Sequence, residues 1–177
     1  MATVNILIAV DGAVLAQRVM DKSMPAGTPS SPTNLGAWSD SNVFITMITQ
    51  SSSVGNNSQG QSELTVKARS QDIIRWTIQT FDGNSDYTAY LYNGRFNPAG
   101  NISALNYSNA HVSSYLPPGS SPTAPPALFH NNSYSAWAMV LEPGQTIQYY
   151  LSFVLVDNST GQILGYFYWD PFIAVSK

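Results

Sequence analysis

The sequence predicts an all-β protein, a single sandwich domain over residues 1–177. Three observations carry this. Apolar and polar residues alternate with a period of two along most of the chain, as strands with one buried face require. Clusters of Gly, Pro, Asn, Asp and Ser separate these stretches at turn-like spacing. Helical periodicity is almost absent, so about eight antiparallel strands and at most one short helix are expected, in a jelly-roll or immunoglobulin-like arrangement.

Residues 3–10 alternate Val4, Ile6, Ile8 and Val10 against Asn5 and Ala9, and form the first strand. Residues 11–22 are the one helical candidate, with Asp11 as N-cap and Val14, Leu15 and Val19 on one side. Pro25, Pro29 and Pro32 then make 23–37 an irregular loop. Residues 43–49 are apolar on both faces, which predicts a central buried strand. After a polar loop at 51–61, residues 63–69 turn Leu64, Val66 and Ala68 inward, and 72–80 do the same with Ile74, Trp76 and Ile78.

A turn at 82–85 leads to a strand at 87–93. Residues 97–126, with paired prolines at 117–118 and 125–126, read as a long loop of functional type or without order. A strand at 134–141 follows, closed by Glu142-Pro-Gly144. The chain ends in an aromatic hairpin that we take as the centre of the fold. Ile147, Tyr149, Leu151, Phe153 and Leu155 share one face, and Gln148, Tyr150 and Ser152 the other. Its second strand runs from Ile163 to Asp170, where Pro171 lacks the N–H that would continue the ladder.

Composition narrows the function classes. Charged residues make up only 10% of the chain, against roughly 25% in an average soluble domain. Seven Lys and Arg, scattered through the chain with a net charge of −3, make no basic stripe, so nucleic acid is not an expected partner. A surface of Ser, Thr, Asn, Gln and Tyr repels its own copies weakly, which favours a homo-oligomer, a dimer first. There is no cysteine, which excludes disulfides, thiol nucleophiles and thiolate metal sites. No apolar run approaches the ~20 residues of a membrane helix. The N-terminal run lacks a basic flank and meets Asp11 at once, so a cytoplasmic protein without a signal peptide or membrane partner is expected.

The sequence offers four candidate chemistries. Asp82, Asn84 and Asp86 alternate as oxygen donors would in a calcium loop, but no Glu completes the set, and a hairpin turn is the plainer reading. No cofactor is otherwise expected. His111 and His130 match no nucleophile motif, and the carboxylates Asp40, Glu63, Asp86, Glu142 and Asp170 show no spacing that pairs them. A non-enzyme is therefore expected. Tyr90 and Tyr92 share a strand face, as do Tyr166 and Tyr168, with Asp170 continuing the row and Trp169 beside it. These six residues suit core packing, a subunit interface, or a glycan-binding surface in which aromatic rings stack on sugars.

The stretches Asn5-Ile-Leu-Ile-Ala-Val-Asp11, Ser39-Asp-Ser-Asn-Val-Phe-Ile45, Asp72-Ile-Ile-Arg-Trp76 and Gly165-Tyr-Phe-Tyr-Trp-Asp-Pro-Phe-Ile173 resemble the AidA/PixA family of bacterial inclusion body proteins. The last block is the most specific. The resemblance runs nearly the whole chain and implies a small cytoplasmic protein, made at high cell density or in stationary phase under quorum sensing, linked to host colonisation and in some members to paracrystalline inclusions. It implies no catalytic residues. The inclusion-forming branch is noted for methionine, whereas this chain has five Met. Self-assembly without catalysis is thus the first functional expectation. A lectin-like carbohydrate-binding module, using the exposed Tyr and Trp and the polar loops, is the alternative.

Overall fold

The alternating stretches become strands almost everywhere the period-two pattern places them. The structure, a computed structural model, describes residues 1–56, 58–119, 123–142 and 144–175, without the side chain of Trp38. The elements in order are β1 (Thr3–Val10), α1 (Gly12–Met20), β2 (Thr33–Asn34), α2 (Trp38–Ser41), β3 (Ile45–Thr49), β4 (Thr65–Ala68), β5 (Ile73–Thr80), β6 (Tyr87–Asn97), β7 (Asn106–Leu116), β8 (Ala127–Met139), β9 (Thr146–Asp157), β10 (Ile163–Trp169) and β11 (Phe172–Val175). The polar loop at 51–61, the Pro-rich stretch at 97–126 and the turn at 142–144 each fall partly outside the described residues.

Two sheets result. The first has the order β3-β1-β5-β8-β7. The second is built on β9, which pairs with β10 along its C-terminal half and with β11 along its N-terminal half, while β6 pairs along its other edge. Pro171 interrupts what would otherwise be one long strand, splitting it into β10 and β11. β2 and β4 then flank those two segments. The aromatic hairpin is therefore the centre of its sheet, as its sequence pattern implied.

The inner faces interdigitate into one core. From the first sheet come Ile6, Ile8, Met47, Ile74 and Trp76, and from the second Tyr149, Leu151, Phe153, Phe167 and Trp169, all buried. Trp76 meets Tyr149 across the layers at 5.3 Å between ring centroids, and its Nε1 donates to Tyr149 Oη at 3.3 Å. Burial pushes the Tyr149 phenol far up, so it stays neutral. Each such ring removes roughly 150–250 Å² from water, a gross gain of about 4–6 kcal/mol before ordering costs. Helix α1 closes one end of the sandwich, with Asp11 capping it by accepting from Val14 N at 3.0 Å.

Four expectations need correction. The pairing is mixed rather than wholly antiparallel, because β1 and β5, β2 and β10, and β4 and β11 run parallel. Among the described residues there are eleven strands, and α2 adds a single helical turn beyond the one helix expected. The 43–49 segment is not central: β3 lies at the sheet edge, leaving Ile48 on the outer face at 41% exposure. Ile45 and Met47 turn into the core, while Ile48 stands opposite Leu7 of β1 as an apolar cross-strand pair on the outer face, which is why the segment is apolar on both sides.

The largest correction concerns 97–126. Its middle is β7, which runs through eleven paired positions with β8, from Asn106 opposite Trp137 to Leu116 opposite Ala127. Only residues from Ala136 to Met139 of β8 also pair with β5. The rest of β7 and β8 therefore forms a two-stranded arm carried beyond the sandwich, with most of its side chains exposed.

Candidate functional site

The outer face of the second sheet collects the tyrosines that the sequence singled out. Tyr90 and Tyr92 on β6 and Tyr166 and Tyr168 on β10 all project there, half-buried, so none of the four fills the core. Tyr92 and Tyr166 meet edge to face at 5.6 Å. Tyr150 of β9 joins the face and lies 6.4 Å from Tyr168. On the opposite, core-facing side of β10, Gly165 leaves room for the Phe167 ring, since a Cβ there would come within 2.6 Å of that ring and 2.9 Å of Ala26 O.

A bulge in β6 decides which polar residues join the tyrosines. The register with β9 shifts between Leu91 and Asn93, so Tyr92 and Asn93 both reach the outer face. Beyond the bulge Asn93, Arg95 and Asn97 stand opposite Ser152, Tyr150 and Gln148. On the far side the 29–32 loop folds over the sheet and is held by Tyr92 Oη, which donates to Pro29 O at 3.1 Å. Thr33 Oγ1 donates to Pro25 O at 2.7 Å and anchors the base of that loop. Between loop and bulged strand lies a cleft of about 610 Å³, floored by Tyr150, Ser152 and Tyr168.

Asp170 continues the same face and accepts from Gln148 Nε2 at 2.8 Å. Desolvation nevertheless holds its carboxyl above the ordinary carboxylate range, the Gln148 bond opposing this only in part. Trp169 points the opposite way. Its ring is fully buried, with Nε1 donating to Ser62 O at 2.9 Å and packing edge to face on Phe153 at 5.8 Å. It is a core residue, and the expectation that it takes part in a ligand surface is corrected, because alternation along β10 sets it inward when Tyr168 faces outward.

Two of the three candidate donors in the Asp82–Asp86 turn, Asp82 and Asn84, already spend side-chain oxygens within it. Asp82 accepts from Thr80 Oγ1 and, at 2.7 Å, from Asp86 N. Asn84 Oδ1 accepts from Thr80 N at 2.9 Å, with the residue held at φ 63°. The bonds that Asp82 itself accepts, the one from Thr80 Oγ1 above all and then the one from Asp86 N, lower its pKa. Among the described residues no group of three or more His, Asp or Glu is placed to hold a metal ion.

Sequence reasoning missed the one histidine contact of chemical interest. Ser113 and His130 pair across the arm, with Ser113 Oγ 3.0 Å from His130 Nδ1. Both are largely exposed, and among the described residues no carboxylate bonds the other ring nitrogen, so the pair lacks the orienting acid of a catalytic triad.

The arm itself has two distinct regions. At its base Tyr134 stacks on Tyr107 at 6.1 Å and meets Tyr90 edge to face at 6.3 Å. Tyr134 Oη also donates to Leu91 O at 2.9 Å, bolting β8 to the edge of β6. Burial here, with Tyr134 and Tyr92 nearby, pushes the Tyr107 phenol up to about 12. Towards the tip the apolar side chains face water: Tyr115 is 68% exposed, and Leu116, Leu128 and Phe129 lie between 40% and 49%.

A two-sheet sandwich with a polar aromatic cleft and an uncharged arm defines a β-rich protein without an assembled catalytic centre among its described residues. Residues 2–175 match the family model for PixA, an inclusion body protein. The chain belongs to that family. Its fold is similar to the crystal structure of the inclusion body protein PixA from Burkholderia cenocepacia J2315, with a TM-score of 0.76 and 15% identity over 99% of this chain and 96% of that one. A search of curated proteins finds no match. No helix among the described residues is long and apolar enough to cross a membrane.

Proposed function

We propose that this protein works by self-association rather than catalysis, as a cytoplasmic inclusion-body-type protein that assembles through the β7–β8 arm. The observation that carries this reading is the composition of the arm. Residues 96–141 contain no Asp, Glu, Lys or Arg, yet they supply the exposed Tyr115, Leu116, Leu128 and Phe129. A two-stranded ribbon alone is marginal in water, and an edge without charged gatekeepers is open to pairing. Among the described residues β7 lies at the end of its sheet order, so its outer edge can take a strand from a second copy. A two-fold dimer closes such a contact most simply. Production at high cell density under quorum sensing, and a part in host colonisation, are the setting that the family resemblance implies for such a protein.

Light scattering coupled to size exclusion tests the reading over a range of protein concentrations. The wild type is expected to be oligomeric, dimer first, and to stay so at high salt, because the contact is apolar. The double variant Tyr115→Lys/Phe129→Lys is expected to be monomeric with an unchanged melting curve, since both side chains face solvent. A wild type that is monomeric at every concentration overturns self-association. An oligomer unaffected by the double variant moves the contact off the arm.

A further inference from the structure

We propose that the cleft between the 29–32 loop and β6 binds a short saccharide of one or two rings, stacked on Tyr150 and Tyr168 and held at its rim by Arg95, Asn93 and Asn97. This inference is independent of the self-association reading, since the cleft lies on the outer face of the second sheet and the arm extends the first.

The dimensions and the chemistry agree. About 610 Å³ falls within the range of roughly 300–1,000 Å³ usual for small-ligand pockets. Two phenol rings side by side offer apolar faces to the C–H side of a pyranose, and their hydroxyls remain at the edge for hydrogen bonds. Ser152, opposite Tyr168 on one side and Asn93 on the other, is largely buried and lies in the floor with its hydroxyl bonded to Tyr92. Asn93 spends its Oδ1 on Gly94 N at 2.9 Å, which leaves its amide N–H groups for a ligand. Among the described residues Arg95 has no ion-pair partner, and its planar fork suits adjacent hydroxyls or a ring carboxylate equally.

Other ligand classes fit less well. The lining holds one cation and no glycine-rich run of backbone N–H groups, which a nucleotide or phosphate ester would need. It holds no carboxylate, which a hard metal ion would need. An apolar ligand would leave the guanidinium and two amides facing it without partners. The loop and the bulge both serve the cleft: the bulge turns Asn93, Arg95 and Asn97 outward, and the Tyr92 bond to Pro29 keeps the opposite wall in place.

The experiment is a printed array of neutral and uronate-bearing mono- to tetrasaccharides probed with the full-length protein. The best binder is then titrated against the wild type, Tyr150→Ala, Arg95→Ala and the charged arm variant. Selective binding is expected, weakened about tenfold or more by either cleft substitution and unchanged by the arm substitutions. A uronate preference that Arg95→Ala abolishes assigns the guanidinium to a carboxylate, and a neutral ligand assigns it to hydroxyls. Arg95 is exposed, so its variant remains informative should Tyr150→Ala lose stability. An array with no selective binder, or an affinity that neither cleft substitution alters, overturns the proposal. Loss of binding only in the arm variant overturns it too and makes glycan capture a property of the assembly.

Discussion

Trp169→Phe separates a core role from a surface role, because the two make opposite forecasts. The ring is fully buried and its Nε1 donates to Ser62 O at 2.9 Å, with Met47 Sδ 3.4 Å away. The substitution removes roughly 40 Å³ of side chain, and at about 24 cal/mol per Å³ the void costs near 1 kcal/mol if the neighbours do not relax. Loss of the buried hydrogen bond adds about 0.5–1.5 kcal/mol. The expected total is about 2 kcal/mol, which for a domain of this size lowers the melting temperature by roughly 4–8 °C. Urea unfolding followed by tryptophan fluorescence and circular dichroism measures it, with the midpoint falling and the slope unchanged. Affinity for any saccharide found by the array is expected to stay the same. A variant as stable as the wild type but unable to bind sugar would refute the placement of this ring in the core.

Asp72 lies buried at the start of β5 and accepts from Ala2 N at 2.7 Å and Arg69 N at 3.0 Å, so Asp72→Ala is expected to cost about 2–3 kcal/mol in the same unfolding assay. At Asp82 the folded-state pKa is lowered, so its stabilising effect is present above the unfolded carboxylate pKa and is lost as pH falls through the folded one. The stability gap between wild type and Asp82→Asn is therefore expected at pH 7 and should close in acid, below about pH 4. Asp170 has the opposite sign: its pKa is raised, so the ionised form costs stability at neutral pH and protonation relieves it. Asp170→Asn is expected to be neutral or stabilising at pH 7, with the difference vanishing in acid, and a thermal melt at each pH checks this. Millimolar calcium is expected to leave the melting temperature unchanged, because the Asp82 and Asn84 oxygens already accept bonds within the turn.

The core was legible because alternation reports burial directly. Leu64, Val66 and Ala68, then Ile74, Trp76 and Ile78, and the five inward residues of β9 are all buried as their spacing implied. Pairing was not legible, because a strand's own pattern says which face is buried and nothing about its neighbour's direction. The parallel pairs arise from connections that carry the chain across the sandwich, such as the passage from β1 through β2 and β4 of the second sheet before β5 returns beside β1. The bulge was hidden for a similar reason. Residues 87–93 predicted Tyr90 and Tyr92 on one face, yet the extra residue sends Asn93 there as well and extends the strand to Asn97. Arg95 and its neighbours could be found from sequence only by assuming a phase shift that no residue announces.

The arm shows where the pattern argument fails altogether, and why the failure bears on function. β7 reads Asn-Tyr-Ser-Asn-Ala-His-Val-Ser-Ser-Tyr-Leu, with no apolar period, because beyond its base neither face lies against the core. Its order comes from the ladder with β8 and from Tyr134 and Tyr107 at the base, all partners distant in sequence. A strand of that kind is indistinguishable from a polar loop until its partner is known. What the sequence does record is the lack of charge from 96 to 141, which a solvated loop has no need of and an edge meant to stay single would avoid. The residues least informative about fold are thus the ones on which the proposed self-association rests, with the exposed apolar tip at Tyr115, Leu116, Leu128 and Phe129 as the surface that a second copy would cover under that proposal.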